Sequence, residues 1–115
     1  MGTSKTRRVW ILCEAFTLTG GAFSHETVHK SLAPWAGVYQ TSAECIMALQ
    51  RHVRERVREN YEGLDDAGRE IEFDVAEVLQ GVVHPDRNND DYCQYSYSTA
   101  DREVVWQVYP VEVKV

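Results

Sequence analysis

Residues 8–18 are rich in β-branched and aromatic side chains and are apolar on both alternations. A strand that is half exposed shows one apolar face, whereas a strand with two belongs inside a sheet that needs cover on each side. Val9, Ile11, Cys13 and Ala15 are therefore expected on one face, and Trp10, Leu12, Phe16 and Leu18 on the other. Gly20 and Gly21 punctuate its end.

The next strong signal is Thr41-x-x-Glu44, a capping box that opens a helix over about 42–60. Ala43, Ile46, Met47, Leu49, Val53, Val57 and Tyr61 recur at three and four residues, and Ile46, Leu49, Val53 and Val57 are predicted to lie buried against the sheet. Gly63 follows as a stop signal. A short strand over 35–40 leads into this helix, and the ambiguous stretch 65–83 is read as a short helix over 74–80. Residues 92–98 and 103–109 alternate as a hairpin about a turn at 99–102. Pro110 cannot donate to a ladder, so a kink or bulge is expected there, with Val111, Val113 and Val115 continuing along a sheet edge. The expected fold is α+β: a small, mostly antiparallel sheet of about four strands with one main helix packed on it, in a single domain over 1–115.

A chain of 115 residues supports one core. Its formal net charge of −6 gives no general attraction to nucleic acid or anionic membrane. Cys13, Cys45 and Cys93 are odd in number and widely spaced, and no apolar leader precedes them, so a reducing cytoplasmic setting is expected rather than a disulfide framework. No run approaches the roughly 18–20 apolar residues of a membrane span. Residues 1–6 match the myristoylation pattern, but a strand beginning near Arg7 leaves an acyl chain on Gly2 almost no arm to reach a bilayer.

One string names a chemistry. His25-Glu26-Thr27-Val28-His29 spells H-E-x-x-H, in which two imidazoles one helical turn apart bind zinc and the glutamate polarises a bound water. Its surroundings weigh against that reading. Pro34 leaves only about nine residues of helix after the Gly20-Gly21 turn, Lys30 follows the second histidine directly, and Glu44, His52, Glu55 and His84 stand at no spacing suited to a third ligand. The pair is read as incidental in a short solvated helix or loop, so no cofactor is expected; the alternative is a minimal zinc hydrolase with ligands His25 and His29 and general base Glu26. Asp86, Asn88 and Asp90 imitate the start of a calcium loop, but Asp91 replaces its glycine and Tyr97 its bidentate glutamate.

The main helix carries Arg51, Arg54 and Arg58 away from its apolar stripe, interrupted by Glu55 and Glu59. An i,i+4 pair between Arg51 and Glu55 makes a solvated charged face the preferred reading, with phosphate or acidic-partner binding as the alternative. Partner contact is instead assigned to the C-terminal edge. Val111, Val113 and Val115 there offer main-chain groups and apolar side chains, and Tyr95, Tyr97, Trp106 and Tyr109 are of the types that anchor interfaces.

The run from Trp10 to Phe16, the segment Gly37-Val38-Tyr39-Gln40-Thr41 feeding a capped helix, and the closing stretch from Trp106 to Val113 resemble, in layout, small uncharacterised modules of bacteria and their phages. That resemblance spans about half the chain, includes no catalytic residue and implies a fold and a prokaryotic or phage setting only. The function expected is that of a non-enzymatic interaction domain, including phage or mobile-element proteins that bind and inhibit host machinery. It meets a protein partner or a second copy through the C-terminal edge; nucleic acid ranks below these and membrane is not expected.

Overall fold

The two-faced run forms β1 (Thr6–Leu18), which lies inside an antiparallel sheet, as its patterning requires. The computed structural model describes residues 5–18, 30–33, 37–100 and 102–114. In chain order the elements are β1, β2 (Lys30–Ala33), β3 (Val38–Tyr39), α1 (Ser42–Glu59), α2 (Gly68–Gln80), β4 (Cys93–Ser98) and β5 (Arg102–Lys114). The sheet runs β2-β1-β5-β4, with β3 also against β1, and every pairing is antiparallel. The fold is α+β, an open antiparallel sheet with two helices on one face.

β2 corrects the helix or loop expected between Gly21 and Pro34 over its last residues. Ser31, Leu32 and Ala33 pair with Phe16, Ala15 and Glu14. Pro34 acts here not as a helix stop but on the residue before it, since the proline ring disfavours helical backbone at Ala33 and leaves it extended. The strand expected over 35–40 is reduced to Val38 and Tyr39, which pair with Ile11 and Trp10.

Thr41 is extended, with φ −130° and ψ 154°, and its Oγ1 accepts the Glu44 N–H at 3.1 Å, so the forward half of the capping box is formed. The buried stripe of α1 is Cys45, Ala48, Leu49, Val53 and Val57. Leu49, Val53 and Val57 confirm the expected face, but Ile46 is only half-buried and Met47 is 65 % exposed, so the stripe is turned toward Cys45 and Ala48. These residues join Leu12, Val75, Val78, Tyr95, Val104, Trp106 and Val108 in one core on the helix-covered face of the sheet. After α1, Gly63 adopts φ +84°, a left-handed conformation suited to a residue without Cβ.

α2 is longer than the segment 74–80 read from sequence. The apparent alternation of Ile71, Phe73 and Val75 is misleading: Ile71 is half-buried, Val75 and Val78 are buried, and Phe73 is exposed, which is helical spacing from 71 onward. Arg54 grips Glu72 through Nε and Nη2 at 2.9 and 3.1 Å, and the Tyr61 hydroxyl donates to Asp74 at 2.6 Å. The bond to Asp74, then burial, then the Asp74 charge push the Tyr61 phenol up to about 12 from its usual 10. Because the folded-state pKa is raised, this tie holds below pH 10 and is lost as the pH rises toward 12. A spectrophotometric phenol titration is therefore expected to lose a late-titrating step in Tyr61→Phe. An unchanged titration would show that the bond to Asp74 does not govern this group.

Candidate interaction surface

β5 is internal over its first half and an edge strand beyond it, where Val111 and Val113 lie as expected. It pairs with β1 from Thr6↔Lys114 to Leu18↔Arg102 and, on its other side, with β4 from Cys93↔Val108 to Ser98↔Glu103. Both registers run unbroken, so Pro110 sits opposite Trp10 without the kink or bulge expected of it. β4 stops opposite Val108, and among the described residues no strand pairs with 109–114 on that side, though Tyr92 packs on Tyr109.

The hydrogen-bond parity of this open edge follows from the hairpin. Thr99 N–H donates to the Arg102 carbonyl at 2.9 Å, so even-numbered residues of β5 aim their backbone at the β4 side. The same alternation makes Gln94 of β4 face outward, where it exchanges two bonds with Val83 at 2.8 and 2.9 Å. Continued along β5, it aims the main chain of Pro110, Glu112 and Lys114 at the open edge. The proline thus falls where its missing donor breaks no ladder bond.

Side chains at the odd positions of this end share the sheet face that the helices do not cover. Val111 and Val113 are 37 and 42 % exposed, opposite Val9 and Arg7, and Val38 beside them is 62 % exposed. With Ile11 and Lys114 they line a shallow, largely apolar groove of about 430 Å³. Tyr109 shares the face, stacks on Tyr92 with ring centroids 5.5 Å apart, and has its hydroxyl 3.6 Å from Cys13 Sγ. That contact, with burial and the Cys13 charge behind it, pushes the Tyr109 phenol up to about 12.

The other expected anchors are not on this surface. Trp106 and Tyr95 lie in the core, paired opposite each other on the helix-covered face, and Tyr97 packs half-buried at that core's margin. Val115, His25, Glu26 and His29 lie outside the described residues. Arg51, Arg54 and Arg58 sit on α1 as expected, but Arg54 is engaged by Glu72, and Arg51 and Glu55 do not form the ion pair expected of them. Of these three cations the carboxylate-held one is therefore Arg54, in place of the expected Arg51.

Sequence reasoning missed the most buried charge among the described residues. Glu14 is 1 % exposed on the helix-covered face of β1. Its Oε1 accepts from Arg56 Nε at 2.9 Å and also from Nη2, and its Oε2 accepts from the Trp106 indole at 2.9 Å. Arg56 continues to Glu59 at 3.2 Å, Arg102 reaches the same Glu59 at 3.4 Å, and both guanidinium groups stand over Phe16, 5.2 and 5.7 Å from its centroid. Burial opposes the charge on Arg56, but the bonds and charges of Glu14 and Glu59 outweigh it and raise its pKa. A cavity of only about 100 Å³ adjoins this network, lined by Glu14, His52, Glu55, Arg56 and Glu59. Glu14 is the only charge between Arg8 and Leu18, and that isolation was the available signal.

Neither Cys45 nor Cys93 is activated. Burial first, then the Cys13 charge, pushes Cys45 up to about 11, and burial also raises Cys93. The expected imitation of a calcium loop is a turn, in which Asp86 Oδ1 accepts the Asn88 N–H at 2.9 Å. Among the described residues no three His, Cys, Asp or Glu side chains converge as a metal site, and no helix is long and apolar enough to cross a membrane. No protein-family model, curated protein or solved structure matches the chain.

Proposed function

We propose that this chain is a small, non-enzymatic interaction domain that binds another polypeptide by strand addition at the open edge of β5. The observation that carries the reading is that β5 outruns β4 by residues 109–114, leaving unpaired main chain beside an apolar groove on the same ribbon. Strand addition uses both elements: the ladder gives affinity, and pockets for alternate side chains give selectivity. The outer edge of β4 is a poorer candidate. Its groove, of about 580 Å³, mixes Asp74, Glu77, Ser96 and Ser98 with Val78 and Tyr97 and is less apolar than that beside β5. The layout resemblance to small phage and bacterial modules extends the reading to a regulator that binds host machinery in the cytoplasm, and a pull-down from a bacterial host would identify such a partner.

Deleting residues 111–115 is expected to weaken association roughly tenfold or more, the scale of losing an interface anchor. Reversing Arg51 and Arg58 should alter mainly its salt dependence. Sedimentation and titration calorimetry on both variants, each checked for folding by circular dichroism, decide between the surfaces. Abolition by the charge reversal, with the deletion harmless, would transfer the function to α1.

A further inference from the structure

We infer that the strand added at this edge is β5 of a second copy of the chain, antiparallel and centred on Val113. The inference rests on strand addition at β5 and names its partner. A two-fold axis through an antiparallel pair equates residue i of one copy with j of the other, so each register is defined by its centre. Hydrogen-bonded pairs must form between residues whose main chain faces the edge, which here are Pro110, Glu112 and Lys114. Three centres are available within the exposed segment. Centring on residue 111 pairs Pro110 with Glu112, losing a donor in each half, and runs the second strand past Tyr109, where Tyr92 is stacked. Centring on residue 112 sets Glu112 against Glu112 and again gives Pro110 to a hydrogen-bonded pair.

Centring on Val113 removes both faults. Glu112 of each copy faces Lys114 of the other in a hydrogen-bonded pair, so two opposite-charge pairs and their full complement of main-chain bonds form about the axis. Val113 meets Val113 of the second copy in a non-hydrogen-bonded pair, where side chains approach most closely. Because such an axis stands perpendicular to the sheet, the two apolar grooves of Val9, Ile11, Val38, Val111 and Val113 fall on the same side and merge. Arg8, opposite Glu112, holds Glu112 at 3.1 Å and Asp91 at 3.3 Å within its own copy, so each Glu112 meets Lys114 of the second copy with Arg8 already beside it.

The other open edge of the ribbon, residues 6–9 of β1, does not compete. Self-pairing there would set Arg7 and Arg8, with Lys5 beside them, against the same cations of the second copy, the arrangement by which proteins guard strand edges. The edge of β5 carries one acid and one base in the order that self-pairing uses.

The test is crosslinking with Val113→Cys and Val111→Cys, oxidised by copper phenanthroline, against the parent chain with its three cysteines. The expected result is an intermolecular disulfide through position 113 and none above the parent background at 111, because four residues of offset separate the two copies of position 111 by roughly 13 Å. Sedimentation should agree. Glu112→Lys, which also sets a cation against Arg8 of its own copy, should weaken the dimer roughly tenfold, and adding Lys114→Glu should restore part of the loss by rebuilding the opposite-charge pairs of this register. If Glu112→Lys fails to fold, the crosslinks decide alone. A parent chain that is monomeric at roughly 100 μM, where a micromolar dimer would be populated, overturns the inference. In that case, a deletion of 111–115 that still abolishes binding to another protein leaves strand addition standing, whereas a harmless deletion removes both.

Discussion

Replacing Arg56 by Met is expected to destabilise the fold by about 3–5 kcal/mol, the cost of leaving a buried carboxylate without its cation. Glu14 is almost wholly withdrawn from solvent at 1 % exposure, and its other partner is the uncharged indole of Trp106. The reciprocal change is milder. Glu14→Leu leaves Arg56 beside Glu59 and partly solvated, so the main loss is the Trp106 N–H, an unsatisfied buried donor costing about 1–3 kcal/mol. The double variant Glu14→Leu with Arg56→Met should recover most of what Arg56→Met loses, since an apolar pair of similar volume often matches a buried ion pair. Urea unfolding at constant m-value measures all three. A loss below about 1 kcal/mol for Arg56→Met, the range of a surface ion pair, would mean that water reaches Glu14.

This asymmetry gives the network a role beyond cohesion. With total stability of about 5–15 kcal/mol expected for a domain of this kind, a local penalty of about 3–5 kcal/mol disfavours any packing that separates Arg56 from Glu14. The pair joins residue 14 on β1 to residue 56 on α1, and Trp106 ties in β5, so three elements are fixed at one point. An apolar core tolerates sliding of a helix along a sheet. A buried carboxylate with three directed donors does not.

What was legible in the sequence was whatever periodicity alone determines. β1 and its two faces followed from alternation, and the α1 boundaries followed from a cap whose hydrogen bond is present. β2 was illegible because four residues carry no period, and their extended state is set by β1 alongside and by Pro34 after them. The candidate surface was half legible. Val111 and Val113 were chosen for their apolar character, and their exposure agrees. Trp106 and Tyr95 were chosen by residue type, which does not separate a core aromatic from an interfacial one. Parity does: 106 is even and 111 and 113 are odd, so on one unbroken strand they face opposite sides of the sheet. The expected bulge at Pro110 hid that relation. The isolation of Glu14 in an apolar run signals its burial, but its partners were illegible, since they lie 42 and 92 residues away and no local rule predicts them.

The phase of α1 yields the second large effect. Leu49→Ala is expected to cost about 2–5 kcal/mol, the range for a fully buried leucine whose site cannot collapse. The neighbours of Leu49 in the core are held by two rigid elements, the sheet below and α2 beside it, so the cavity should persist. Met47→Ala, by contrast, should fall within about 0.5 kcal/mol of the parent, because a side chain 65 % exposed removes little area from water. Ile46→Ala should lie between them. Had the stripe run where the sequence periodicity set it, through Ile46, Leu49, Val53 and Val57, residues 46 and 49 would be equally costly to truncate. The observed phase puts the small Cys45 and Ala48 against the core that contains Trp106 and leaves Ile46 at its margin. Urea midpoints for the three variants discriminate directly: equal losses at 46 and 49 would rotate the helix back toward the sequence reading and carry Arg56 away from Glu14.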